Sequence, residues 1–289
     1  MTDQKKALGW QDLGLGSFSS DGQKINFTEL DFLEVWRTVV DSDMDLTSQT
    51  LVAGSKATCL AWVFVAGYQS AIRRVFPGSE FSGWTAFAVS EDRKNDPPLP
   101  GVDYSNREDG TFLISGVKTW VASVEAIGEI IIKAGKGNRA LYIKLPRETE
   151  GLSFSSRESR FLKEMSQGSA HLDRVSAPEQ YVLEDGLVGH FGRFETLYIY
   201  LAFLSFIGSS TRSDDLKWES FRVAMGLKDV LDLPATPDNW DWEAIKKLDL
   251  EVQKILGLAG EEFTTLQPSW SVDSRLISMY SPGIQKQAN

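Results

Sequence analysis

Cysteine and histidine are scarce in this sequence: Cys59 stands alone, and His171 and His190 are the two histidines. A single cysteine excludes an intramolecular disulfide and a cysteine cage for a metal, and it is compatible with a reducing compartment. Two histidines leave little room for a histidine-rich metal centre, and the patterns HExxH, GxSxG and GxxxxGK[ST] do not occur. The acidic run "DSDMD" at residues 41–45 lacks the ordered spacing of a calcium loop and reads as solvated surface, so no metal site is expected. Positive charge is in deficit too. Thirty basic against forty acidic side chains leave a net charge of -10, which opposes attraction to nucleic-acid phosphates or to an anionic membrane.

Long apolar runs are also missing. The opening stretch "MTDQKKALGWQDLGLGS" has no continuous apolar core of the kind a secretory signal needs, so export is not expected and the cytoplasm is the expected location. The most apolar segment, "TLYIYLAFLSFIG" at residues 196–208, falls short of the roughly 20 residues that cross a bilayer. Upstream come Glu195, Arg193 and His190, so it reads as a buried helix without membrane insertion.

With 42% hydrophobic and 24% charged residues the chain is composed to fold into a compact core. "TELDFLEVWRTVV" places Leu30, Leu33, Trp36, Val39 and Val40 at helical spacings behind Thr28 as N-cap. Residues 47–76 read as one long helix or two in succession, rich in small residues that allow close packing, and Pro77 and Gly78 end it. From Gly83 the pattern turns to short β-prone runs, among them "GWTAFAVS", "TFLISGVKTW", "IGEIIIKAG" and "RALYIKL". Between the first two lies "EDRKNDPPLPGVDYSNREDG", too polar and proline-rich for a central strand and expected as a surface loop. Helical signal returns at residues 193–208 and in "DWEAIKKLDLEVQKILGLAGEEF", capped by Asp241 or Asn239. "LKDVLDLPATPDNW" between them reads as a linker or irregular crossing, and the tail after Gln267 as polar.

The expected fold is therefore α+β: an N-terminal helical domain (1–80), a central antiparallel β-barrel or sandwich domain (81–185) and a C-terminal helical domain (186–289). The GxG within "LGWQDLGLGSF" at residues 8–18 lacks a preceding strand and a third glycine, so it reads as a flexible turn. Phe194, Tyr198, Phe203 and Phe206 form a broad hydrophobic surface, most of it expected as intrachain core and the rest as a subunit contact.

Three stretches in this order resemble the acyl-CoA dehydrogenase family of flavoproteins. They are "AFAVSED" at 86–92, "LISGVKTWVASVEAIGEIIIKAG" at 113–135, and "GLSFSSRESRFLKEMSQGSAHLDRVSAPEQYVL" at 151–183, with Val175 and Pro178 near the family's "V..P". The resemblance covers roughly residues 50–210. It implies FAD, with its ring against the β-domain, and it places Val89, Ser90, Trp120, Val121 and Ala122 at flavin-contacting positions. A flat conjugated ring needs an apolar wall and a few donors for its polar edge.

The departures from the family are as specific as the matches. "DRKNDPPLP" stands where a glycine-rich "GAGSD" is expected, and Ala122 stands where the family has a threonine whose hydroxyl meets the ring. Ser123 is the available substitute, although neighbouring strand residues point to opposite faces. The family's late glycine-rich stretch before its catalytic glutamate is missing, as is its "R..FG" region. A minority of members carry the base on the first C-terminal helix, where this chain has Tyr198 and, beside it, Ile199. Glu195, one turn earlier, is the displaced candidate for the catalytic carboxylate; its alternative role is a helix N-terminal carboxylate favoured by the dipole.

What the resemblance implies is a flavin-dependent oxidoreductase that oxidises an acyl-CoA or other acyl thioester with FAD. The alternatives are an inactive homologue serving as a partner subunit or binding module, and a related flavin-dependent monooxygenase. By family habit the chain forms a homo-oligomer, or a heteromer with a family homologue.

Overall fold

The structure is a computed structural model that describes residues 27–234 and 236–287; the glycine-containing stretch at 8–18 lies outside them. The chain divides into two compact units, one joining the residues up to Arg74 with those from His190 onward, the other spanning Val75–Gly189.

The helical unit is organised by α4 (Phe191–Ser210), whose residues 196 to 208 are all buried. An α-helix that is apolar all round must be surrounded by protein. Phe194, Tyr198, Phe203 and Phe206 are each sealed within the chain, so these four aromatics leave no surface for a partner.

Two helices from the first half of the chain supply part of the surround, α2 (Leu46–Lys56) and α3 (Leu60–Val75). Small residues let them approach closely, as their composition predicts. A Cβ on Gly67 would lie 2.5 Å from the Ile199 backbone, and one on Gly54 would meet the Ala202 backbone. Ser205 and Ser209 of α4 donate from their hydroxyls to the α2 carbonyls of Leu51 (2.6 Å) and Ser55 (3.2 Å). The first helix, α1 (Glu29–Val40), begins at a capping box in which Thr28 and Asp31 each accept from the other's backbone N–H. Asp45, within the run read as solvated surface, caps α2 by accepting from the Ser48 N–H at 2.8 Å.

One helix contradicts the linker expected before residue 240. α5 (Asp214–Asp232) takes in the first part of "LKDVLDLPATPDNW". Its signal is present in the sequence: Ser213 caps it, two aspartates follow, and Leu216, Ser220, Val223, Leu227 and Leu231 repeat at helical spacing on its buried face.

α6 (Trp242–Leu266) starts at Asp241, which settles the choice of cap. The polar tail folds as three short helices, α7 (Trp270–Asp273), α8 (Arg275–Ser278) and α9 (Ser281–Gln285), anchored by buried Trp270, Leu276, Ile277 and Ile284. Buried Asp249 of α6 holds the tail in place. It accepts from the Tyr200 hydroxyl at 2.8 Å, from Ser281 at 2.7 Å and from Gln285 at 2.6 Å.

The β unit is a sandwich of two sheets. One has the order β1 (Thr85–Ala88), β4 (Glu129–Ala134), β5 (Leu141–Pro146); the other runs β2 (Asp103–Asn106), β3 (Thr111–Ala122), β7 (Gln167–Pro178), β6 (Leu152–Arg157). All pairings are antiparallel except that of β1 with β4, which is parallel. The isoleucines 130 to 132 sit in the middle strand of the first sheet and are buried on both faces, as a parallel-paired central strand requires. β2 corrects the surface-loop expectation for residues 91–110: four of them form an edge strand, the position a polar segment can occupy.

An ion pair ties the segment that follows β1 to β3. Lys118, with no solvent exposure, donates to Glu91 at 2.7 Å, and the Val102 N–H donates to the same carboxylate oxygen at 3.2 Å. Burial alone would raise the Glu91 carboxyl, but the Lys118 hydrogen bond and charge and the Val102 N–H outweigh it and hold the group below its ordinary value.

Glu91→Gln would leave the Lys118 ammonium buried without a counter-charge, and it is expected to cost about 3 kcal/mol in urea unfolding at neutral pH. Because the folded Glu91 is the stronger acid, the pair's contribution is present above the ordinary carboxylate pKa. It fades as pH falls through the lower folded value, so the gap between variant and wild type should narrow in acid. A gap that widens in acid would contradict this assignment.

Candidate functional site

In the β unit the chain's own hydrogen bonds bring the end of β1 against the end of β3. The Thr119 N–H donates to the Ser90 carbonyl at 3.0 Å, which sets Val89 and Ser90 beside the Trp120 to Ser123 stretch. Val89 is 42% exposed and Ser90 is exposed, an apolar side chain next to a hydroxyl at a strand end.

Trp120 is only partly buried. It lies in an irregularity of the β3–β7 ladder between Lys118 and Val121, and its indole N–H donates to Gln167 Oε1 at 3.3 Å. Gln167 is itself buried and fixed by its amide, which donates to the Phe161 carbonyl at 2.7 Å. The ring thus has a set orientation with one part of its surface open. Gln167 escaped the sequence reading because it lies 47 positions away and shares no motif with Trp120.

Val121, Ala122 and Ser123 are buried. Ser123 departs from the strand: its φ of 51° is left-handed, an uncommon state for a residue with a side chain. Its carbonyl accepts from the Ala126 and Ile127 N–H groups at 2.8 and 3.0 Å, which starts a turn. The alternation that would send neighbouring side chains to opposite faces therefore stops before Ser123. Ser123 is 2% exposed, and its hydroxyl has no hydrogen-bond partner among the described residues. Leaving a buried hydroxyl unpaired costs on the order of 1–3 kcal/mol.

The segment replacing the family's glycine-rich stretch folds around Asp92. Its carboxylate accepts from the backbone N–H groups of Lys94 (2.9 Å), Asn95 (3.3 Å) and Leu99 (2.8 Å), and from the Asn95 amide at 2.7 Å. Those contacts hold the carboxyl well below the usual range, the Leu99 N–H most of all. Backbone donors of the kind that meet a phosphate are occupied here by the chain's own anion.

In the helical unit, Glu195 sits in the second turn of α4. Its side chain keeps some solvent contact, yet the protein packed around it pushes the carboxyl up to about 8, with burial as the cause. No hydrogen bond or ion pair reaches it among the described residues. Burial raises the Tyr280 phenol, and the Glu195 charge raises it further, as does Tyr68. A carboxyl poised near neutral pH beside phenols is the chemistry of a proton acceptor.

The other sequence candidates are engaged elsewhere. Tyr198 is buried and its phenol raised by that burial, and Ile199 packs against Gly67. Arg193 donates to Asp238 at 2.9 Å and to Gln287 at 3.2 Å, with its guanidinium 5.4 Å from the Trp242 ring centre. His190 lies 3.3 Å from Asp238, and His171 meets Ser169 at 3.0 Å. No helix among the described residues is long and apolar enough to cross a membrane.

No family model and no curated protein sequence matches the chain. The fold is that of the acyl-CoA dehydrogenase-like proteins, as solved structures demonstrate. The prolyl acyl carrier protein oxidase AnaB is similar at a TM-score of 0.60 and 11% identity, over 96% of this chain and 97% of that one. The dibenzothiophene monooxygenase TdsC from Paenibacillus sp. A11-2 has a TM-score of 0.60 at 11% identity, covering 89% and 85%. Butyryl-CoA dehydrogenase from Megasphaera elsdenii has a TM-score of 0.54 at 11% identity, covering 88% and 85%.

A carboxyl that titrates near 8 when folded and near 4.5 when exposed keeps a proton that the unfolded chain has released, so stability falls as pH rises across that window. Glu195→Gln cannot ionise and should remove this loss. Its urea midpoint is expected to exceed that of wild type at about pH 9 and to converge with it near about pH 4. The same difference at both values would show that Glu195 titrates normally.

Proposed function

We propose that the chain is a flavin-dependent oxidoreductase of the acyl-CoA dehydrogenase kind, acting with FAD on an acyl-CoA or another acyl thioester. The observations that carry this are the fixed, partly open indole of Trp120 and, three residues on in the chain, the buried, unpaired Ser123 hydroxyl. An apolar wall with a donor at its margin suits the planar ring and polar edge of a flavin.

A bound flavin supplies a two-electron acceptor. Trp120 forms the wall, oriented by Gln167; Val89 and Ser90 border it; Val121 and Ala122 close the strand behind it. Ser123 Oγ supplies a donor in place of the hydroxyl missing at Ala122. On its raised carboxyl alone, Glu195 of the helical unit is the candidate base for the oxidation. A base titrating near 8 has a useful deprotonated fraction at neutral pH, and a positioned base contributes a factor of about 100 to 10,000.

The second reading is a partner subunit or binding module that has lost the cofactor, and the Asp92 turn favours it. That carboxylate puts negative charge and occupied donors in the segment where the family has a glycine-rich stretch.

Flavin binding separates the two. Purified protein titrated with FAD should quench tryptophan fluorescence at close to equal stoichiometry. Ser123→Ala should weaken that binding about tenfold while raising the urea stability of the flavin-free protein by about 1 kcal/mol, because an unpaired buried hydroxyl is removed. Protein that neither carries nor takes up flavin would support the binding-module reading. Bleaching of the bound flavin by an acyl-CoA without oxygen, lost in Glu195→Gln, would support the dehydrogenase.

A further inference from the structure

Two N–H donors in the helical unit are buried and idle, and both belong to residues packed on Phe194. Arg74, near the end of α3, holds its guanidinium carbon 5.3 Å from the centre of the Phe194 ring, and Trp240 meets the same ring edge-on at 5.3 Å between centres. Arg74 Nε and Trp240 Nε1 are closed off from solvent without a hydrogen-bond partner among the described residues. Trp240 as a whole is 6% exposed.

Arg74 also lacks a counter-charge. It donates from Nη2 to the Leu233 carbonyl at 3.2 Å, a neutral group, and no carboxylate pairs with it among the described residues. The acids of this region are committed to other cations. Asp238 pairs with Arg193 at 2.9 Å, while Asp45 and Asp232, which bear on the Tyr198 phenol as Arg74 does, share Lys228 at 3.3 and 2.6 Å. An idle buried N–H costs on the order of 1–3 kcal/mol, and a guanidinium kept from water without a partner costs more. A carboxylate relieves both, because it has two acceptor oxygens and a charge opposite to that of arginine.

We propose that Arg74 and Trp240 form a binding site for a small carboxylic acid with an apolar body, its carboxylate accepting from Arg74 Nε and Trp240 Nε1 beside the Phe194 ring. The surroundings select the body: Phe194, Trp240 and Trp242 form a run of rings with 5.3 and 5.7 Å between successive centres, which favours a flat aromatic acid. They also select the charge. Two carboxylates share the one Lys228 ammonium, so the region holds no surplus positive charge for the second charge of a phosphate. Entry is open from outside, since Arg74 keeps some solvent contact and Leu233, whose carbonyl it holds, is 49% exposed. None of these groups takes part in the flavin reading, so the two stand or fall separately.

Calorimetric titration of the full chain with benzoate at constant ionic strength tests it. Saturable binding at one site is expected, with benzamide, which has the same shape without the charge, and inorganic phosphate each weaker by about tenfold or more. Arg74→Gln should weaken benzoate binding about tenfold or more. Trp240→Phe keeps an aromatic ring and removes the N–H, so it should weaken binding about threefold to tenfold without lowering the thermal midpoint. That midpoint separates lost binding from a damaged fold. In an NMR spectrum of the indole N–H groups, the signal missing from Trp240→Phe should be one that moves when benzoate is added to wild type. No saturable binding, benzamide or phosphate binding as tightly as benzoate, an unmoved Trp240 signal, or unchanged affinity in either variant would each overturn the proposal.

Discussion

Much of the helical unit follows from one constraint, the burial of α4. A helix of 20 residues without a continuous polar face cannot rest on a single neighbour. Helices from both halves of the chain surround it, with α2 and α3 arriving before the β unit and α5 and α6 after it. Glycines 54 and 67 exist to let backbones approach it, and Ser205 and Ser209 spend their hydroxyls on α2 carbonyls instead of opening the core to water. Glu195 inherits its raised carboxyl pKa from the same packing, since it enters α4 just before the sealed stretch begins.

The β unit has a comparable pin in Lys118 and Glu91. A fully buried ammonium is tolerable only with a fixed counter-charge, and Glu91 is fixed in turn by the Val102 N–H. This pair, with the Thr119 to Ser90 hydrogen bond, sets the ends of β1 and β3 side by side. The candidate ledge of Val89, Ser90 and Trp120 is a consequence of that junction.

The departures from the acyl-CoA dehydrogenase pattern have physical content. Ala122 removes a hydroxyl, and Ser123, turned into a left-handed conformation, carries one with no hydrogen-bond partner among the described residues. The polar replacement for the glycine-rich stretch is an ordered turn whose centre is the Asp92 carboxylate.

Periodicity and caps are local properties, so the sequence by itself determined the order α, β, α, the helix start at Thr28, and the buried character of residues 196–208, while the structure chose Asp241 over Asn239 as the cap of α6. It also determined the two motifs that Lys118 and Glu91 join. The α5 pattern was legible as well, at Ser213 and the leucines that follow, but was overshadowed by the prolines after it. Only the tertiary structure decided the parallel pairing of β1 with β4, the edge position of β2, the Gln167 contact to Trp120 and the Asp249 clamp on the tail. These depend on partners far apart in the chain, whose meeting no local spacing encodes. The unpaired state of Ser123 is likewise tertiary, because whether a buried hydroxyl finds a partner is settled by everything packed around it.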